Sequence, residues 1–299
     1  MEKAFSLNSR YESLGSKIFN ILNILFISAV CLTCFFPFLH VAATSLSSGS
    51  AIVSGKVTFF PVDLQFDSYS VVIKNGSMTQ AFGFTILLTV IYTLISMAMT
   101  ICAAYPLTKA NLKGRRVIMI LIIITMYFNA GIIPNYIVVK NLGLLDSMWA
   151  LVLPGMISAY NLIILRTFFK SISASLLEAA YLDGCSEVGI LIRIVLPLSL
   201  PVLATLSLFY AVGRWNGFQD ALYYITNQNL YPLQLKLREI IMVDRMSEMN
   251  SQEGGDMARL VPQGVKAASI MFATLPILLL YPWLQRYFIS GVMIGSVKE

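Results

Sequence analysis

Charge is scarce in this chain, and where it occurs it is grouped. The stretch EAAYLDGCSEVGILIRIVLP, residues 178–197, places Glu178, Asp183, Glu187 and Arg193 between two long apolar runs. A second group, Arg214 followed by Trp215, Asn216 and Gln219, lies within an apolar run. Carboxylates such as those of the first group serve either as acid–base groups or as partners for a basic surface. The rest of the sequence favours the second use. The single histidine is His40, and neither H-E-x-x-H nor G-x-S-x-G occurs, so the sequence carries neither of these metalloprotease and serine-hydrolase signatures. No G-x-x-x-x-G-K-[ST] loop occurs either, which leaves no cradle for the phosphates of ATP. The second group is different in kind, because a guanidinium, two amides and an indole supply donors and an aromatic face, the chemistry that holds sugars.

The elements that must position these groups follow from composition. Of 299 residues, 57% are hydrophobic and 12% charged, and the mean hydropathy is +0.76. That is more apolar surface than a soluble core of this length hides. The chain is read as an all-α membrane protein with six transmembrane helices, near residues 18–44, 80–108, 117–139, 147–168, 202–225 and 267–289, each about the 20 apolar residues a bilayer requires. The first run follows a polar tail bearing Lys3, Arg10 and Lys17. It resembles the start of a signal peptide but is too long and lacks a small-residue cleavage site, so an uncleaved anchor is expected. Lys109, Lys113, Arg115 and Arg116 crowd the loop after the second run, whereas the loop after the third holds Lys140. This bias puts both termini in the cytoplasm.

The excess of Lys and Arg over Asp and Glu, 21 against 15, is thereby explained without nucleic acid, and no basic run is interleaved with aromatics as a strand-binding groove requires. Cys31 and Cys34 form a CxxC inside an apolar run, with no second pair or histidine set nearby. Packing, rather than a metal or redox site, is expected of them.

The topology places the acid-bearing stretch between the fourth and fifth runs, on the cytoplasmic side. Ser175 and Glu178 have capping-box spacing, so a helix is predicted to start near Ser175 with Leu176, Leu177, Ala180 and Tyr181 on one face. Asp183 and Gly184 stop it. A second apolar helix runs through Ile194, and Pro197 and Pro201 interrupt the backbone before the fifth run. The expected element is a helical hairpin with small residues at its bend, suited to close docking in another protein's groove.

Here the residues carry a resemblance. E-A-A, three residues, G, nine residues, I-x-L-P resembles the signature of the permease subunits of ABC importers, and Glu178, Ala179, Ala180, Gly184, Ile194, Leu196 and Pro197 complete it. RWNGFQDALYYI in the fifth run and LQRYFISGVMIGSVKE at the C terminus are similar to the carbohydrate-type permeases, close to the maltose-importer family and closer to its oligosaccharide and polysaccharide branch.

The resemblance implies a type I importer permease fold, with an N-terminal part over 1–79, a permease core over 80–290 holding the coupling loop at 170–201, and a cytoplasmic tail over 291–299. It implies that the chain is not an enzyme and forms half of a path for an oligosaccharide through a bacterial cell membrane. Its partners would be a second, different permease, an ATP-binding cassette ATPase dimer that holds ATP and Mg, an extracellular substrate-binding protein and membrane lipid. Glu178 would offer its carboxylate to the ATPase or only cap its own helix, and Asp183 is divided between contact and turn. Arg214 would pair with the second permease or touch substrate, an acidic saccharide in the second case. Asn129 and Asn161 are weaker path candidates, since lone polar residues in spans often serve helix packing.

Two outer segments, 47–78 and 226–266, are long enough to receive the binding protein. In the second, Pro232 opens a helix that puts Leu233, Leu237, Ile240 and Ile241 on one face, for docking or for the membrane surface. An ion-gradient transporter is the competing class; inverted repeats and paired intramembrane acids, its expected marks, are absent from the sequence. An ABC importer for a non-sugar solute is the other.

Overall fold

The computed structural model describes residues 14–74, 76–250 and 263–279. Lys3, Arg10, the end of the sixth run, the C-terminal signature stretch and the tail 291–299 lie outside the described residues. The described residues are helical with no strand. They divide into two units, one of the described residues up to 74 and from 244 to 271, the other of those from 76 to 243 and from 272 to 279.

In the first unit α1 (Leu14–Ser45) carries Pro37 in its interior. Its apolar side chains from Ile18 to Phe36 stand exposed, Phe26 at 69%, as a helix meant for lipid or another chain requires. It ends in a small polar knot. Ser48 caps the short α2 (Gly49–Val53), accepting from the Ala51 N–H at 3.3 Å, and the Tyr69 hydroxyl of α3 (Asp67–Lys74) lies 2.9 Å from Ser45 Oγ.

The second unit is built on α4 (Ser77–Ala104), which ends where Pro106 opens a 3₁₀ turn, Pro106–Thr108. Together α1 and this helix are the two described elements long and apolar enough to cross a membrane unbroken. Three of the other runs expected to be continuous are divided. The third is split into α5 (Arg115–Tyr127) and α6 (Ile132–Asn141), bent by 118°. Asn129 makes that corner, its Oδ1 accepting from the Gly131 N–H at 2.9 Å, a local turn that competes with helix. The fourth becomes the short α7 (Met148–Val152) and α8 (Ala159–Ser171). The fifth breaks at Gly217, between α11 (Leu200–Asn216) and α12 (Gln219–Tyr224). Hydropathy passes over such breaks because the joining residues are themselves apolar or small.

Between the fourth and fifth runs lie α9 (Ala174–Leu182) and α10 (Glu187–Leu198), the latter holding a π-helical turn at Leu191–Val195. It bends by 82° into α11. The expected helix after Pro232 is α13 (Leu233–Asn250), and α14 (Gln263–Leu279) begins the sixth run.

Two apolar clusters fix this unit. One joins Met97, Leu107, Leu165, Phe169, Ala180, Ile190, Val195 and Leu206, welding α9 and α10 to α4, α8 and α11. The other joins Leu88, Val139, Leu151, Val152, Tyr224 and Leu235. Within a bilayer such clusters hold chiefly by close van der Waals packing rather than by removal from water. Between the two clusters α4 packs along α11, and the polar groups of the fifth run sit beside that seam.

Candidate functional site

The hairpin forms, with one correction at its start. The N-cap of α9 is Ser173, not Ser175, and it makes no side-chain cap. Ser173 Oγ instead lies 2.7 Å from Ser175 Oγ. The two hydroxyls satisfy each other, so the capping box with Glu178 is not made and Glu178 stands exposed inside the helix. Its stop is as the sequence requires. Asp183 is the C-cap, Gly184 takes φ +78°, the Gly184 N–H donates to Tyr181 O at 3.0 Å and the Cys185 N–H to Ala180 O at 3.0 Å, a Schellman pair. A Cβ on Gly184 would meet nothing within 4 Å, so the need for glycine here is conformational.

The outward side of the hairpin is the informative one. Glu178, Ala179, Asp183 and Gly184 are exposed, Ala180 is buried, Ile194 and Leu196 are half-buried and Pro197 is exposed. Leu182, at the tip, is 90% exposed and Val188 64%, an apolar edge that sequence reasoning gave no role. Of the residues expected on one face with Ala180, Leu176 and Tyr181 are exposed, at 44% and 41%.

Glu187, also without a predicted role, holds the hairpin down. Its Oε2 lies 2.8 Å from Lys109 Nζ and accepts from the Tyr105 hydroxyl at 2.8 Å, and its Oε1 accepts from the Tyr181 hydroxyl at 2.6 Å. Lys109 Nζ also sits 4.8 Å and 5.0 Å from the centres of the Tyr105 and Tyr181 rings, within cation–π range. Partial burial pushes the Glu187 carboxyl up, but the hydrogen bonds from Lys109, Tyr181 and Tyr105 outweigh it and hold it at about 2. Burial likewise opposes the Lys109 charge, and bonding to Glu187 and the two tyrosines carries its pKa well above the usual lysine range.

At the other end of α11 lies a cleft. Arg214, 7% exposed, is in the last turn of the helix, where its charge meets the negative end of the helix dipole. It is paired within the chain. Nη2 donates to Asp220 Oδ1 at 2.9 Å, Nη1 donates to Asp220 Oδ2 and to Leu151 O at 3.0 Å, and the guanidinium lies 5.7 Å from the centre of the Tyr92 ring. A bidentate pair with carbonyl acceptors is what makes a buried charge tolerable. Gly217 permits it, since a Cβ there would approach Nη2 to 2.9 Å. The sequence reading put Arg214 mid-span, about twelve residues from either end, and weighed partners outside the chain; the break at Gly217 instead brings Asp220 back onto it.

Two hollows open on this pair, of about 410 Å³ and about 490 Å³, sharing Tyr92, Gly213 and Arg214 in their walls. Asn216, Gln219 and Asp220 line the first, and Ser158, Tyr160, Asn161 and Tyr210 the second. The wall is stiff, because the Tyr210 hydroxyl lies 2.7 Å from Thr100 Oγ1 and accepts from the Ser158 N–H at 3.1 Å, while the Tyr92 hydroxyl donates to Gly155 O at 2.6 Å. Of the predicted path residues, Arg214, Asn216, Gln219 and Asn161 therefore come together. Trp215 does not join them: its ring stacks edge-on against Phe82 at 5.8 Å. Asn129 is the corner of α5 and α6. Tyr92, Tyr160, Tyr210 and Asp220 were missed, and the D-A-L-Y-Y stretch gives Asp220 no signal without knowledge of the break.

A helical core crossed by α4, a glycine-hinged hairpin at one end and a polar cleft at the other define a membrane permease, and the comparisons agree. Residues 98–294 match the model of the family described as binding-protein-dependent transport system inner membrane component, and the chain belongs to that family. Protein LplC of Bacillus subtilis (strain 168) is 42% identical over 98% of this chain and 99% of its own. The polygalacturonan/rhamnogalacturonan transport system permease protein YtcP of the same organism is 41% identical over 95% and 99%. A chain in the crystal structure of a bacterial ABC transporter involved in the import of the acidic polysaccharide alginate superposes with TM-score 0.85 at 32% identity, covering 94% of this chain and 100% of that one.

Proposed function

We propose that this chain is one of two different permease subunits of an ATP-driven importer and forms half of the path for an oligosaccharide or polysaccharide. Six spans, with both termini on the inner side of a bacterial cytoplasmic membrane, carry it. ATP and Mg are held by a cytoplasmic ATPase dimer, and an extracellular binding protein delivers the sugar, with segments 47–78 and 226–266 the candidate receiving surfaces.

The observation that carries this reading is the hairpin, exposed along its outer edge and tied down just past its bend. Leu182 is 90% exposed beside exposed Glu178 and Ala179, while Glu187 lies 2.8 Å from Lys109, just past the 3₁₀ turn that follows α4. An ATPase groove that takes the tip, with Glu178 facing a basic group, pushes on α10. The bend then passes that displacement to α11 and so to Arg214 and the cleft. Asp183 acts chiefly as the C-cap, and Ile194, Leu196 and Pro197 as the stiff root of the lever.

The cleft supports a saccharide cargo because tyrosine hydroxyls and the amides of Asn161, Asn216 and Gln219 suit sugar hydroxyls. Arg214 gives no separate argument for an acidic sugar, since Asp220 neutralises it. The support for acidity is the cargo named for two of the similar proteins, polygalacturonan and alginate.

The test is uptake of labelled oligogalacturonides into proteoliposomes holding the whole complex. ATP-dependent uptake that needs the binding protein, and fails with an ion gradient alone, is expected. Gradient-driven uptake by this chain alone would overturn the reading.

A further inference from the structure

Beside the hairpin lies a cluster of cations that makes no ion pair with an acid among the described residues. The Arg115 Nη1 donates to Lys109 O at 3.2 Å and the Arg166 Nε donates to Leu107 O at 2.9 Å. Both guanidinium groups thus hang from one short turn, at carbonyls two residues apart, where α5 packs on α8. Lys170 follows Arg166 by four residues, on the same face of α8. Among the described residues, the ion pairs are Lys109–Glu187, Arg214–Asp220 and Lys236–Glu239, and none includes Arg115, Arg166 or Lys170. The mutual repulsion is felt: the Arg166 charge first, then burial and the Arg115 charge, pull the Lys170 ammonium below its usual range. The first turn of α5 opens with Arg115 and Arg116, so Arg116 adds one more cation at the positive end of a helix.

From this cluster an apolar helix face rises. No residue of α5 is buried, and Val117 and Leu121 are 61% and 57% exposed. A ligand that satisfies both features has a phosphate at one end and hydrocarbon at the other. We propose that Arg115, Arg166 and Lys170 bind the phosphate of an anionic phospholipid whose acyl chains lie along α5. Guanidinium forks match phosphate oxygens bidentately, and basic pockets at the membrane boundary between spans suit such headgroups. The bound lipid would brace the turn that carries Lys109, the residue that pins Glu187 and with it the hairpin. The lipid would sit in the inner leaflet, an assignment that rests on the permease topology above.

The test is lipid retention by the purified, fully assembled complex in neutral detergent, read by native mass spectrometry with phosphatidylglycerol and phosphatidylcholine as probes. Phosphatidylglycerol should be held more tightly, and each cation removed should weaken it about fivefold. Lys170→Gln is the primary variant because that side chain is exposed and has no described partner, so folding is untouched; Arg166→Gln, checked for an unchanged melting temperature, should weaken the lipid further. Equal retention of the two lipids, or phosphatidylglycerol retention indifferent to Lys170→Gln, overturns the site. So does its displacement by millimolar inorganic phosphate alone, which would mark a free-anion site. Loss of the ATPase subunit from the Lys170→Gln complex with lipid retention unchanged would assign the cations to protein carboxylates instead and equally overturn it.

Discussion

Glu187 and Lys109 are 2.8 Å apart although their positions differ by 78 in sequence, and they tie the elbow of the hairpin to the turn that follows the long helix α4. Glu187→Gln keeps the shape and removes the charge. With the Glu187 side chain half-exposed, the pair is screened, and the expected loss of stability is about 0.5 to 1 kcal/mol. The larger effect should be on coupling: ATP hydrolysis continues while uptake per ATP falls. Unchanged uptake per ATP would show that the tie is merely structural.

The same pair has a pH signature. The Glu187 carboxyl is held at about 2 in the folded chain, below its ordinary value near 4.3. Its contribution is therefore complete above the ordinary carboxylate range and is lost as pH falls through that range toward the folded value. Lys109 is shifted upward, so its contribution is present below the ordinary lysine value and is lost only as pH rises through a folded value well above it. Thermal stability attributable to the pair, measured as the difference between wild type and Glu187→Gln, should be flat from about pH 6 to 9 and shrink below about pH 4. A difference that peaks near pH 7 would contradict this.

Arg214→Gln leaves Asp220 without its cation beside a buried wall. The expected destabilisation is about 3 kcal/mol, felt for neutral and acidic oligosaccharides alike. Arg214→Gln combined with Asp220→Asn should recover part of the melting temperature. A mutant that assembles normally and loses uptake of acidic sugars alone would instead put the guanidinium on the substrate.

Gly184→Val should cost about 1 to 3 kcal/mol through its positive φ, without any clash inside the chain, and should uncouple hydrolysis from uptake. Gly184→Asn, which tolerates this backbone region better, should be milder. Equal behaviour of the two variants would show that bulk against the partner, not backbone strain, is what matters there.

Much of the hairpin was legible because its signals are local. Asp183–Gly184 stops a helix by turn chemistry, and Pro197 and Pro201 mark the root by lacking a donor. What was not legible depends on contacts far along the chain or on small breaks. The N-cap falls two residues before the expected Ser175, and Ser175 uses its hydroxyl on Ser173 rather than on a capping box. Glu187 finds Lys109 and Tyr105 only when α10 folds back on α4. Arg214 finds Asp220 only because the helix stops at Gly217, in a run whose hydropathy reads as continuous. Asn216, Gln219 and Asn161 were found because polar residues stand out in apolar runs; the tyrosines of the cleft were not, since tyrosine is at home in a membrane helix.

If the hairpin tip enters the ATPase, a thiol placed at that tip must change its reactivity when the ATPase binds. In a Cys185→Ser background, Leu182→Cys replaces the residue that is 90% exposed with a labelling site. A membrane-impermeant maleimide should label it in inside-out vesicles stripped of the ATPase, label it much more slowly once the ATPase is restored, and leave it unlabelled in intact cells. Equal labelling with and without the ATPase, or labelling from outside intact cells, would contradict the account.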